Sequence, residues 1–192
     1  MLINSRPFVD FSFMKNEMLD MRFDDQDLLT AREIVNKRSE KELGEIFSKY
    51  GEERYARRIA KTIFENRRRI PINTTADLVE VVRNSVPKAY WRNSAIHPAT
   101  RVFQALRIAV NDELNSLQDV LEPSLEILKK GGRIAVITFQ SLEDRIVKRG
   151  FRNFAASLPD SVILTKKPLR PRASEIISNP RARSAKMRVM QK

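Results

Sequence analysis

The chain has 192 residues, a net charge of +12, 42% hydrophobic and 31% charged side chains, no cysteine and one histidine. That is enough apolar material for a buried core, which excludes a wholly disordered chain. Without cysteines there is neither a disulfide framework nor a soft-ligand set for zinc or iron–sulfur centres, so no metal is expected. No apolar run is long enough to span a bilayer, and MLINSRPFVD lacks the positive-then-apolar layout of a secretory signal, which points away from membranes and to the cytoplasm.

Residues 1–25, with SRPFVDFSFM and LDMRF, read as an extended or looping segment packed on something larger. Residues 26–95 carry helical periodicity and form the expected helical subdomain. LLTAREIVNK gives a first helix ending near Lys37, and Ser39 followed by Glu42 has the spacing of a capping box. Leu43, Ile46, Phe47 and Tyr50 recur at helical intervals, with Gly51 placed to close or kink that helix. In EERYARRIAKTIFENRRR, Tyr55, Ile59 and Ile63 share a face. Thr74 or Thr75 caps ADLVEVVRNSV, which stops before Pro87.

Residues 96–192 change character. After a polar loop over residues 88–95, His97-Pro98 opens one long helix reaching Lys130, with Pro123 kinking or interrupting it and Gly131-Gly132 ending it. RIAVITF is a short β-branched run, of the kind found in strands covered on both faces. SLEDRIVKRGF resumes helical spacing, with Ser141 as N-cap and Glu143 and Asp144 in the first turn. VILTKKPL and ARSAKMRVM add one or two further strands. The fold class is therefore α/β, with ligands expected at the carboxyl end of the strand, around residues 138–141.

Charge is distributed unevenly. From Arg145 to Lys192 there are thirteen Lys or Arg against Asp160 and Glu175, a surplus of eleven that leaves the preceding residues close to neutral. Such asymmetry favours a polyanion, nucleic acid first, because neutralised phosphates release condensed counterions. The basic stretch is broken by Pro168, Pro171 and Pro180 and lacks large apolar anchors, which argues against a membrane surface. Lys166, Lys167, Arg170, Arg172, Arg181, Arg183, Lys186 and Arg188 stand among prolines and small residues, a layout suited to following a phosphate backbone; a solvated surface is the plainer alternative.

LDMRF, KYGEERYARRIA, HPATRVFQALRIAVNDEL, GGRIAVITFQSLEDRIVK and NPRARSAKMR, in that order, resemble the ribosomal RNA small subunit methyltransferase H family. The resemblance implies transfer of a methyl group from S-adenosylmethionine to the N4 amine of a cytosine in 16S ribosomal RNA. It also implies a Rossmann-like methyltransferase sheet with an inserted helical subdomain, of which residues 1–25 continue an N-terminal half and residues 96–192 are the C-terminal part. Family members carry a glycine-rich turn, an acidic residue for the cofactor ribose and an Asp-Leu-Gly strand end ahead of the matching part. None of these occurs here, and the five glycines form no G-x-G turn. The chain thus resembles the C-terminal two thirds of such an enzyme. No cofactor-binding residue is expected in it, and binding of S-adenosylmethionine by this chain alone is not expected. The missing half would come from a longer product or a second chain; exposed edges would otherwise favour self-association. A non-catalytic RNA-binding or ribosome-assembly module is the alternative.

No catalytic residue is identifiable, and Gln140, Ser141, Glu143, Asp144 and Arg145 are the candidates for a pocket wall. Gln140 stands where the family usually has histidine, so either a proton role is lost or its amide serves as a hydrogen-bond donor. Glu143, Asp144 and Arg145 either face the pocket or cap the helix and pair locally. His97, beside Pro98, opens a helix rather than catalyses. Arg101 and Arg107 reach phosphate or lie on a solvated face. Trp91 and Tyr90 stack on a splayed base or plug the join between subdomain and sheet.

Overall fold

The computed structural model describes residues 15–94, 96–158 and 160–192. They fall into two compact units, the first ending at Asp112 and the second running Glu113–Lys192. SRPFVDFSFM lies outside the described residues.

The first unit is helical: α1 (Ala31–Lys37), α2 (Glu40–Lys49), α3 (Ala56–Asn66), α4 (Thr75–Ser85), α5 (Lys88–Asn93) and α6 (Thr100–Asn111). Three of these helices start from reciprocal caps. The Thr30 hydroxyl accepts from Glu33 N–H, Ser39 from Glu42 N–H and Thr74 from Asp77 N–H, while each acid reaches back to its cap's backbone. Ile34, Leu43, Phe47, Ile59, Ile63, Leu78, Val82, Val102 and Leu106 fill one core. The chain before α1 is stitched to it, since Leu19 N–H donates to the Asn73 carbonyl, Thr75 N–H to Glu17 and Arg32 N–H to Leu19.

Two expectations fail here. The segment expected as a polar loop over residues 88–95 holds α5, in which Trp91 N–H donates to the Pro87 carbonyl, so proline starts a turn rather than a loop. The single long helix from Pro98 is in fact two helices. Asp112 takes the left-handed conformation at φ 48° and ends α6; aspartate tolerates that region better than most residues. The Asn111 carboxamide shows why the break falls there: its oxygen accepts from Phe23 N–H at 2.7 Å and its nitrogen donates to the Met21 carbonyl at 2.8 Å, fixing the last turn of α6 against the incoming chain.

In the second unit, α7 (Glu113–Glu126) contains Pro123 without ending there, and Ile127–Lys130 turn instead of extending the helix to the glycines. Gly131 carries the turn at φ 79°. β1 (Arg133–Thr138) follows, then α8 (Ser141–Ser157), β2 (Val162–Ile163), α9 (Ala173–Ser178), a 3-10 turn (Pro180–Ser184) and β3 (Lys186–Gln191). Both further strands expected near 162 and 186 are present. The sheet order is β1-β3-β2, with β3 antiparallel to both neighbours.

Register decides which side chains are buried. Ile134 pairs with Met190 and Val136 with Arg188, and this face packs on Leu121, Leu125, Val147 and Phe151 of α7 and α8. The opposite face carries Ala135 with Val189 and Ile137 with Met187, bordered by Val162 and Leu169, and Ile137, Val162 and Leu169 are each more than half exposed. The expectation that β1 is covered on both faces is therefore overturned for this chain: one face is open, and β1 has a strand neighbour on one side only among the described residues. Among those residues no helix is long and apolar enough to cross a membrane, and no group of three or more His, Cys, Asp or Glu side chains is arranged to hold a metal ion.

Candidate functional site

The corner between β1 and α8 is the strand end at which the sequence places a ligand. Gln140, not Ser141, is the N-cap residue; Ser141 is the first residue of α8. The Glu143 carboxylate turns back over the corner and accepts from Phe139 N–H at 2.9 Å, Gln140 N–H at 3.3 Å and the Gln140 amide nitrogen at 3.0 Å. Backbone N–H groups at a helix start fix the carboxylate in place there. Gln140 thus uses its amide to orient Glu143, the donor role that its residue type allows.

Asp144 points the other way, under the sheet. Its two oxygens accept from Arg188 Nε at 2.7 Å and Arg188 Nη2 at 3.1 Å, with Lys186 Nζ at 3.9 Å. The Arg188 guanidinium holds the Asp144 carboxyl below the ordinary aspartate value, chiefly through those hydrogen bonds. Asp144 therefore pairs with β3 and not with Arg145 beside it, which is exposed. Both acids of the corner are committed to structural partners.

This pairing also corrects one member of the basic tail. Arg188 is only 6% exposed and bound to Asp144, so it braces β3 against α8 and does not face solvent. Lys186 is half-buried beside the same carboxylate. The other six cations, Lys166, Lys167, Arg170, Arg172, Arg181 and Arg183, are exposed, and among the described residues none is paired with a carboxylate. Arg181 and Arg183 sit on the 3-10 turn, and Arg172 precedes α9. An alternation signal for Arg188 exists in KMRVMQ, but it is ambiguous, because both faces of that strand offer apolar residues.

In the helical unit the remaining candidates separate. Tyr90 is held within the helical unit: its hydroxyl donates to Glu53 at 3.1 Å, and its ring meets Tyr55 edge-on at 4.8 Å. Glu53, a buried carboxylate missed from the sequence, also accepts from Tyr55 N–H at 2.8 Å. Arg101 donates to the Glu52 carbonyl, which ties α6 to the turn before α3. His97 Nδ1 accepts from Ala99 N–H, consistent with its place at the opening of α6. Trp91 is half-buried beside it, with ring centroids 4.9 Å apart.

Residues 6–192 match the MraW methylase family. The chain belongs to that family. It is 53% identical over 95% of its length to the ribosomal RNA small subunit methyltransferase H of Trichormus variabilis, and 52% identical over 97% of its length to that of Cyanothece. A relative of the same name in Citrifermentans bemidjiense is 49% identical over 95% of the chain. The chain spans only 57%, 60% and 62% of those relatives' own lengths.

A methyltransferase family implies S-adenosylmethionine as donor, and the glycines test whether the described residues can cradle it. Gly51 presses on α6, with an added Cβ falling 2.6 Å from the Arg101 carbonyl oxygen, and Gly150 meets Leu121 of α7. Gly131 and Gly132 form the turn before β1, and Gly44 lies in α2. All five are taken up by packing, turns or a helix interior, and none stands at the carboxyl end of β1 where backbone would approach a nucleoside. No glycine therefore supplies close backbone approach to a donor at that corner.

Proposed function

We propose that this chain is the substrate-facing and sheet-closing part of a ribosomal RNA methyltransferase that modifies the N4 amine of a cytosine in 16S ribosomal RNA in the cytoplasm. The observation that carries this reading is the open side of β1. A six-residue strand with one edge unpaired among the described residues and a face bearing Ile137 and Val189 calls for cover, and the chain spans only 57% and 62% of the lengths of two relatives, which leaves room for further strands. In this reading the sheet is the antiparallel side of a Rossmann-like methyltransferase sheet, residues 26–95 are its inserted helical subdomain, and residues 1–25 lead in from the rest. The strands and the donor site are supplied by residues outside this chain, on the same polypeptide or a second one; without them the open edge promotes self-association.

The chemistry sets what the outside residues must do. The cytosine amine gives its lone pair to the ring, so transfer needs an acceptor for the amine hydrogens and the reacting atoms held in line. The base must also leave its stack, which costs least in single-stranded or loop RNA. Gln140, Ser141, Glu143 and Arg145 form one wall beside that site, with Glu143 holding the corner through Phe139 and Gln140 and Asp144 bracing α8 to β3 behind it.

A chimera tests the proposal: the preceding segment of the Trichormus variabilis relative is joined to this chain and assayed for labelled methyl transfer to 16S ribosomal RNA. Transfer by the chimera, and no saturable donor binding by the chain alone, is the expected result. A folded chimera that binds donor yet methylates no RNA would refute the assignment.

The six exposed tail cations follow the phosphate backbone. Converting Arg181 and Arg183 to glutamine is expected to weaken RNA binding and flatten the slope of log affinity against log salt by about 1.4, since each phosphate left unneutralised on a single strand removes about 0.7. Filter binding from low to high salt reads this out, and an unchanged slope would remove the tail from the interface.

A further inference from the structure

A groove of about 800 Å³ runs between α4 and α5 in the helical unit. Its lining includes Trp91, Arg83, Lys88, Arg92, Asn84 and Glu80. The three cations are exposed against one acid, and among the described residues none of the three is paired. Trp91 is half-buried and packs on the core, so the surrounding helices hold its ring in place. Its indole N–H has no protein partner among the described residues. Neighbouring Tyr90 is committed to Glu53, which leaves Trp91 as the aromatic group open to this groove.

We propose that this groove binds an unpaired segment of RNA, with one base stacked on Trp91 and the flanking phosphates on Arg83, Lys88 and Arg92. An aromatic platform ringed by cations suits single strands, whose bases expose π-faces, and not duplexes, whose bases are already stacked. The volume accommodates about one nucleotide with its phosphates. The proposal rests on the ribosomal RNA reading above and adds a second contact surface, separate in sequence from the basic tail, for RNA flanking the modified base.

Trp91 is the only tryptophan in the chain, so its fluorescence reports on this groove and nowhere else. Titration of the full chain with a twelve-nucleotide single-stranded oligocytidylate carrying a terminal dye is expected to quench that fluorescence saturably, in parallel with the rise in dye anisotropy. The Arg83→Ala, Lys88→Ala, Arg92→Ala triple variant, altered only at exposed positions, is expected to weaken both signals by roughly tenfold, and Trp91→Ala, which removes the only tryptophan and is read by dye anisotropy alone, to weaken binding by roughly tenfold as stacking is lost. Trp91→Phe keeps a platform and should retain anisotropy binding within about threefold, which separates absent stacking from failed folding.

Three results overturn the groove. Equal quenching by inorganic polyphosphate would mean adventitious polyanion binding only. Normal anisotropy binding with unchanged fluorescence and no effect of the triple variant would assign all RNA contact to the tail, and would leave the family reading standing. No oligonucleotide binding by either signal, and none in the chimera, would remove both.

Discussion

Replacing Gly51 with alanine is expected to destabilise the helical unit by roughly 3 kcal/mol, at the upper end for overpacking because the obstruction is backbone. A Cβ there would lie 2.6 Å from the Arg101 carbonyl oxygen, 2.8 Å from that of Phe47 and 3.3 Å from the Ala105 Cβ. Two of these atoms belong to helix backbones and cannot swing aside, so α2 and α6 must separate. Gly44 supplies the opposite case within the same unit. A Cβ at Gly44 meets Ala60 Cβ at 3.8 Å, an ordinary contact, inside α2, where alanine is favoured over glycine by about 0.5–1 kcal/mol. Gly44→Ala should therefore stabilise and Gly51→Ala destabilise. Urea unfolding followed by helical circular dichroism measures both, and a Gly51→Ala protein as stable as its parent would show that the α2–α6 approach is wrong.

Loss of Arg188 is expected to be as damaging to the second unit. Arg188→Met leaves Asp144 with its side chain 15% exposed, facing Lys186 at 3.9 Å, with Lys148 a further, weaker positive neighbour. Removing one partner of a buried pair costs roughly 3–5 kcal/mol, and the residual lysine sets the expectation near the lower bound. The double variant Arg188→Met, Asp144→Leu should recover most of that loss, since a buried pair replaced by apolar groups is close to neutral. The pair also carries a pH dependence of definite sign. Arg188 lowers the folded carboxyl below its unfolded value, so its stabilisation is complete above the ordinary aspartate range, near 3.9, and disappears as pH falls through the lower folded value. Stability of the parent should fall more steeply than that of Asp144→Asn on acidification below about pH 4. Parallel curves for the two proteins would remove Asp144 from the balance. RNA binding should keep its salt slope in Arg188→Met, in contrast to the tail variant, because Arg188 faces Asp144 and not solvent.

The two arginine classes of the tail show how far sequence reasoning reaches. Composition and spacing identify a basic, proline-broken stretch suited to phosphate, and six of its eight cations are exposed. The same stretch cannot say which cations turn inward. In KMRVMQ, alternation puts Lys186, Arg188 and Met190 on one face and Met187, Val189 and Gln191 on the other. Hydrophobicity alone would bury the second set. Instead the Arg188 face is buried, because Asp144, forty-four residues earlier in the chain, offers it a carboxylate, and the Met187 face is the one left open.

Many local signals held, although the N-cap of α8 fell at Gln140 and not Ser141, and the segment expected as a polar loop over residues 88–95 holds α5. The caps at Ser39 and Thr74, the end of α1 at Lys37 and the strands near 133, 162 and 186 depend on groups within a few residues of one another. The family likeness rests on ordered strings of the same kind. Tertiary structure alone decided the rest. The break at Asp112 depends on Asn111 bonding the chain at Met21 and Phe23. Gly51 matters for a helix that crosses it and not for its own dihedral angle, since the left-handed turn residue is Glu52. Trp91 and Tyr90, adjacent in sequence, part company because one finds a buried carboxylate and the other lines a cationic groove. Such choices are made by groups distant along the chain, whose meeting no period or spacing encodes.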